Sequence, residues 1–303
     1  MRKTIVTLVA LCAAMAVHAT VLRVSNVSGS TAPYSTVQAS LDAATEGDTI
    51  MLDASGTDYG KITITKRIAL IGPGFWLQNN GIIQEGGNHA RVSGITVEAS
   101  GVIICGLYLP GMSNSINVKK GNTNVVIKRN YIGGCIYLGS GADRCVIHQN
   151  FLKMHDSIAL IGDLYANSSF HQITNNIILA GFGFLSIHDS YIAYNTILGK
   201  GSIGLGDSSN LTFEKNIWYN QPEGATCNFS DNLIAETTFD SDKQIDKDVK
   251  AMNLSNTHGA FAGDSPYVLS GVPSAPVIED LVVPTTVEYG SNMNVTIKLN
   301  IQK

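Results

Sequence analysis

The sequence predicts an all-β fold, a right-handed parallel β-helix of three-strand coils, on three observations. Asparagines recur in one fixed local setting, a small–apolar–any–apolar pattern recurs between them, and no helical periodicity runs through residues 60–235. The asparagines are Asn130, Asn150, Asn176, Asn195, Asn216 and Asn232, separated by 20, 26, 19, 21 and 16 positions, within the range of solenoid repeats. An apolar residue stands three positions before each (Ile127, Ile147, Ile173, Ile192, Phe213, Phe229) and another two positions after (Ile132, Leu152, Ile178, Ile197, Trp218, Ile234). A polar residue fixed inside an apolar alternation does not suit an ordinary buried strand. It suits a bend repeated once per coil. Asn tolerates the left-handed backbone better than other non-glycine residues, and its amide can bond the amide one coil away, so the row is expected to form an asparagine ladder.

The second pattern supplies the remaining strand of each coil. It reads Ser115-Ile116-Asn117-Val118, Cys135-Ile136-Tyr137-Leu138, Ser157-Ile158-Ala159-Leu160, Gly181-Phe182-Gly183-Phe184 and Ser202-Ile203-Gly204-Leu205. An earlier coil carries Gly94-Ile95-Thr96-Val97 and then Val102 to Leu109, with Leu107 where later coils have Asn. Each coil then holds three short period-two strands: one on this pattern, one before the asparagine and one after it. Coils stacked about 4.8 Å apart satisfy one another's backbone and enclose a single apolar interior.

The opening of the chain carries a resemblance. The stretch Tyr34-Ser35-Thr36-Val37-Gln38-Ala39-Ser40-Leu41-Asp42-Ala43-Ala44 is followed by Glu46-Gly47-Asp48-Thr49-Ile50, Ile62-Thr63-Ile64, Lys66 and Ile68-Ala69-Leu70-Ile71-Gly72. It resembles the start of pectate-lyase-like parallel β-helix proteins, over roughly residues 33–235. The resemblance implies an amphipathic helix capping the first coil, and Val37, Leu41 and Ala44 fall at i, i+4 and i+7, on one helical face. It is specific for fold and not for activity, because one scaffold hosts lyases, hydrolases, esterases and adhesins.

Residues 1–19 read as a secretory signal, with Arg2 and Lys3, an apolar run from Ile5 to Val17, and cleavage expected near Ala19. The expected location is therefore secreted, periplasmic or cell-surface, with no membrane span. The chain divides into the signal, an N-terminal cap over 20–59, the β-helix over 60–262, and a linker with a C-terminal β segment over 263–303. The charged stretch Asp240–Lys250 is expected to be a loop or irregular last coil, and Asp264–Pro273 a linker. Ile278–Val283 and Val295–Ile301 read as strands of a C-terminal β tail. Cys105, Cys135, Cys145 and Cys227 remain after cleavage; their register keeps them apart, and all four are expected to be reduced packing residues. A net charge of −4 with 15% charged residues offers no basic stripe for nucleic acid.

Function on a solenoid lies on outward positions and inserted loops. The first-strand outward column reads Thr96, Asn117, Tyr137, Ala159, Gly183 and Gly204, beside Glu98, Lys119, Gly139, Ile161, Leu185 and Gly206. In the lyases that the chain resembles, this face carries the substrate groove, with clustered carboxylates holding calcium and an Arg or Lys base. Here the column offers one carboxylate and one lysine, and the paired aspartates of the hydrolase relatives are not found, so no family active-site residue is carried over. Glu98, Asn117, Tyr137 and Asp163 are candidate binding residues. Asp163 stands at the start of the longest apparent insertion, since Leu160 to Ile173 is 13 positions and Leu138 to Ile147 is 9. Lys153, His155 and Asp156, with Lys119 and Lys120 two coils earlier, are the candidate proton-transfer groups, against the alternative of a solvated turn. His148, His171 and the His188-Asp189 turn are expected to be exposed.

The third-strand outward positions read Tyr131, Phe151, Ile177, Thr196, Ile217 and Leu233, then Gly133, Lys153, Leu179, Leu198, Tyr219 and Ala235. So large an apolar stripe needs a cover. The C-terminal tail, whose Val295, Ile297, Leu299 and Ile301 alternate, is one; a partner or second copy is another; an aromatic sugar-binding surface is the third. If the tail covers it, the chain is expected to be a monomer. Two functional readings follow: a non-catalytic exported scaffold that binds a polysaccharide or cell-surface glycan without a cofactor, and a polysaccharide lyase or related carbohydrate-active enzyme acting on an acidic polysaccharide, of which the lyase alone would call for calcium.

Overall fold

The structure, a computed structural model, describes residues 19–82, 87–111, 115–153, 158–163, 166–179, 181–199, 204–223, 226–235, 245–273, 276–282 and 296–301. It is a right-handed parallel β-helix. The coil strands assemble into three sheets of 6, 10 and 7 strands, here the first, second and third sheets, and every pairing within them is parallel. Ile104, Ile127, Ile147, Ile173, Ile192 and Phe213 stack as the inward column of the second sheet. Leu109, Ile132, Leu152, Ile178, Ile197 and Trp218 do the same in the third. All twelve are buried in one continuous core.

Helix α1, Val37–Ala43, closes the N-terminal end with Val37, Leu41 and Ala44 against the core. Thr36 Oγ1 caps its first turn by accepting from Ala39 N. Lys66 Nζ donates to the carbonyls of Leu41, Asp42 and Ala44 at 2.9, 3.1 and 2.7 Å, placing a cation at the negative end of the helix. Asp48 ties the following turn together, its carboxylate accepting from Thr20 N, Thr45 N and Thr45 Oγ1.

The corner between the second and third strands has constant length: Ile127 to Ile132, Ile147 to Leu152, Ile173 to Ile178, Ile192 to Ile197 and Phe213 to Trp218 are each 5 positions. The asparagines sit here. Asn150 Oδ1 accepts from both N and Nδ2 of Asn130, at 3.0 and 3.1 Å, and the same pair of bonds repeats from Asn150 to Asn176, to Asn195, to Asn216 and to Asn232. Leu107, which lacks an amide, still donates its backbone N–H to Asn130 Oδ1.

The left-handed residue at this corner is the one before each asparagine, not the asparagine. Arg129, Gln149, Asn175, Tyr194, Lys215 and Asp231 have φ between 49° and 56°. Reversing the chain one position early aims the Asn amide along the stack and throws the preceding side chain outward. A left-handed L-residue costs about 1–2 kcal/mol, and outward contacts offset that cost here.

Those contacts are with residues 245–273, which form a strap over the third sheet. Arg129 Nη1 donates to Val272 O at 3.0 Å, and Gln149 Nε2 donates to Ser265 O and Pro266 O at 3.1 and 2.5 Å. Asn175 Nδ2 donates to Ala260 O and Ala262 O, Lys215 O accepts from Gly259 N, and Asp231 Oδ1 lies 3.2 Å from His258 Nε2. The outward stripe is real, and Phe151, Ile177, Leu198, Ile217 and Ala235 are buried in a second apolar cluster with Val249, Ala260, Tyr267 and Phe75. The cover is therefore the strap, not the tail. The expected linker over 264–273 is packed, and the end of the expected loop over 240–250 is helix α2, Asp246–Ala251. Asp246 locks the strap to the N-terminal coils: fully buried, it accepts from Asn80 Nδ2, Tyr267 OH, Ser270 N and Lys247 N. Pro276–Val282 and Thr296–Ile301 pair with each other as an antiparallel hairpin.

Register in the first sheet differs from expectation beyond Tyr137. Ile136 pairs with Ile161, not Ile158, and Ile161 pairs with Phe184. Ile161 is consequently an inward, buried residue rather than an outward one. Asp163 to Ile173 is then 10 positions against 9 from Leu138 to Ile147 in the preceding coil, but Gly162 to Ser168 is 6 positions against 2 from Leu185 to Ile187 in the following one, so Asp163 opens an insertion of four residues relative to that coil. Further extra residues precede the strand. From the inward third-strand residue to the next inward first-strand residue, Leu109 to Ile116, Ile132 to Ile136, Leu152 to Ile161 and Ile178 to Phe184 are 7, 4, 9 and 6 positions. Length varies at this corner and also at the next, where Ile116 to Ile127, Ile136 to Ile147, Ile161 to Ile173 and Phe184 to Ile192 are 11, 11, 12 and 8 positions. Cys105, Cys135, Cys145 and Cys227 are all free thiols.

Candidate functional site

With the third sheet covered, the first and second sheets remain open, and the first carries the candidate binding residues. Thr63, Thr96, Asn117 and Tyr137 lie in one outward column, paired coil to coil. The next residue in that column is Gly162, which follows Ile161 and pairs with Leu185. Its φ is +112°, and a Cβ there would collide with Leu185 O. The outward side-chain column is therefore interrupted after Tyr137, and this interruption, with Gly162 itself buried beneath it, is the notch.

Three candidate binding residues lie along this part of the column. Asn117 is half-buried on one side, Tyr137 forms the wall, and Asp163 follows Gly162 on the other side. Burial, then the neighbouring Cys135 thiol, then the negative charge of Asp163 push the Tyr137 phenol above its ordinary pKa. An aromatic ring thus stands between a carboxamide one coil before it and a carboxylate one coil after it, groups suited to C–H stacking and hydroxyl hydrogen bonding. Glu98 stands exposed in the adjacent column, two residues beyond Thr96.

The candidate proton-transfer groups are not brought together among the described residues. Lys119 follows strand Ile116–Val118 at one edge of the first sheet. Lys153 follows Phe151–Leu152 and precedes the first strand of its coil, at the opposite edge. His155 and Asp156 lie outside the described residues. Lys153 is half-buried, and burial holds its ammonium below the ordinary lysine pKa. Among the described residues no group of three or more His, Cys, Asp or Glu is arranged to hold a metal. No helix among them is long and apolar enough to cross a membrane.

Two histidines expected to be exposed are structural. His171 is buried: its Nδ1 accepts from Cys145 N at 3.2 Å and its Nε2 meets Ser168 Oγ at 3.0 Å, which fixes the Nε2–H tautomer. His148 is half-buried between Thr174 and Ser265 of the strap. Burial, the largest cause for each, brings both pKa values down to about 4. The aromatic stripe on the third sheet is no sugar platform either. His89, Tyr108, Tyr131 and Phe151 stack on one another at 4.1, 4.6 and 5.8 Å, and Trp76 packs edge-on against Tyr131 and Phe151, so the ring faces are already occupied.

Sequence reasoning missed Gly162 as a site residue, since its role appears only once Ile161 is seen to face inward. No protein-family model matches the chain, and no curated protein matches it. Among solved structures, pectin methylesterase PemA from Erwinia chrysanthemi is similar over 82% of this chain and 98% of that chain, with a TM-score of 0.35 and 11% sequence identity.

Proposed function

We propose that the chain is an exported, non-catalytic β-helix that binds a polysaccharide or cell-surface glycan on its first-sheet face. The notch at Tyr137 carries this reading. A sugar ring laid across Tyr137 would present hydroxyls to Asn117 on one flank and to Asp163 on the other. The variable-length corner borders the same face, where insertions in solenoids often shape binding surfaces. Export is supported by Arg2, Lys3 and the apolar run that follows them. A glycan array tests the proposal: a defined set of glycans should be retained by the wild type and lost by Tyr137→Ala and Asn117→Ala. Retention of the same glycans by both variants would refute it.

A second reading, polysaccharide lyase, is favoured by one observation, the half-buried Lys153 with its lowered pKa. Its test is growth of unsaturated-uronate absorbance on pectate, alginate and glycosaminoglycans, with and without calcium. A signal abolished by Lys153→Met or His155→Ala would establish catalysis; no signal on any substrate would remove this reading.

A further inference from the structure

A cavity of about 250 Å³ lies between the strap and the third sheet, on the opposite side of the coil from the Tyr137 notch. Its floor is Thr196 and Ile217, both outward residues of the third sheet, and its wall is the strap segment from Val249 to Phe261. The strap is pinned on each side of the cavity. Before it, Val249 of α2 is buried in the apolar cluster. After it, Gly259 lies so close to the sheet that a Cβ would come within 2.5 Å of Thr196 Oγ1 and 2.6 Å of Ile217 Cδ1.

Between these points the chain is held off the sheet by its own hydrogen bonds. Asn253 turns through a left-handed conformation with φ 45°. Ser255 Oγ accepts from Thr257 N and His258 N at 3.2 and 3.1 Å, and Thr257 Oγ1 lies 2.8 Å from His258 Nδ1. The wall is thus preorganised, and binding there need not include the cost of ordering it.

The lining has a distinct chemistry. Ile217, Leu254 and Phe261 make an apolar side, while Asn253, Ser255 and Asn256 offer amides and a hydroxyl. Lys250 is the exposed ammonium, its Nζ 6.0 Å from the centre of the Phe261 ring; His258 also lines the cavity, and no carboxylate does. Asp231 stands behind His258, beside Nε2 at 3.2 Å though without a hydrogen bond's alignment. An amino acid would leave its ammonium without an anionic partner. A neutral sugar would leave Lys250 unused.

We infer that this cavity binds a sugar acid, a single ring with hydroxyls and one carboxylate, the carboxylate on Lys250 and the ring against Ile217 and Leu254. The volume falls below the roughly 300 Å³ at which drug-sized pockets begin, which limits the ligand to about one ring. This site is separate from the first-sheet notch and does not depend on it.

Isothermal titration of the full chain with D-glucuronate, D-glucose and acetate tests the assignment. Glucuronate should bind saturably at one site, and at least tenfold more tightly than glucose or acetate. Lys250→Met should weaken it tenfold or more, and Asn253→Ala severalfold, with the far-ultraviolet circular dichroism of both variants unchanged. Absence of saturable glucuronate binding would overturn the assignment, as would glucose binding as tightly as glucuronate. Binding that survives Lys250→Met but is lost in Tyr137→Ala would place the sugar on the first-sheet face and overturn the cavity site while supporting the notch.

Discussion

Replacing Asn176 by alanine tests the amide column at its centre. The side chain makes four hydrogen bonds: Nδ2 donates to Ile147 O and Asn195 Oδ1, and Oδ1 accepts from Asn150 N and Nδ2. All of them are buried, so water cannot replace them. Two partners keep another bond, Asn150 Nδ2 to Ile127 O and Asn195 Oδ1 from Asn176 N. Asn150 N–H is left facing a methyl group. One orphaned donor at about 1–3 kcal/mol, with three lost bonds at about 0.5–1.5 kcal/mol each, gives a loss of about 2.5–7.5 kcal/mol. Urea unfolding followed by circular dichroism reads it directly. Asn232→Ala, in the last described coil and partly exposed, should cost about 1–2 kcal/mol because water takes over some of its partners. A loss below about 1 kcal/mol for Asn176→Ala, or equal losses at both sites, would show that the column does not hold the coils together.

Further outcomes follow from the strap, the buried histidines and the open face. Gly259→Ala should lift the strap and speed its limited proteolysis, whereas Gly121→Ala, at φ +76° with open space around it, should not. Asp246→Asn turns an acceptor of four donors into a group with its own NH₂, and should lower the unfolding midpoint by about 2–3 kcal/mol equivalent. His171 has a folded pKa of about 4 against an ordinary value of 6.5. Its stability contribution is therefore full above pH 6.5 and declines as pH falls towards 4. The decline from His171 should reach at most about 3 kcal/mol, measured as urea midpoints across pH, and His171→Gln should remove that part while leaving the similar decline due to His148. Tyr137→Ala should leave the urea midpoint within about 0.5 kcal/mol of wild type while removing glycan binding.

Legibility of the fold tracked how constant each corner is. The bend from second to third strand never changes length, and its amide must face its counterpart, so spacing alone locates both sheets. Its left-handed residue was misplaced by one because Asn is the expected occupant, whereas Arg129, Tyr194 and Lys215 occupy that conformation while contributing to the strap. The first sheet was harder. Ile158 and Leu160 alternate as inward residues would, and only the pairing of Ile136 with Ile161 reveals the shift. That shift hid Gly162 and, with it, the notch. The strap carried no periodic signal at all: Val249, Leu254, Ala260, Tyr267 and Leu269 follow neither 2 nor 3.6, since the residues they meet belong to separate coils. An apolar outer stripe announced that some cover exists without naming it.

Hydrogen exchange on the full chain most directly tests whether the third face is sealed by the strap while the first stays open. Slow exchange is expected at Gly259, Ala260, Tyr267 and Phe75, whose N–H groups donate to Lys215 O, Thr196 Oγ1, Ala260 O and Ser270 O. Exchange of those four amides at the rate of an unstructured peptide would mean the strap is not docked, and the assignment of the working face would fall with it.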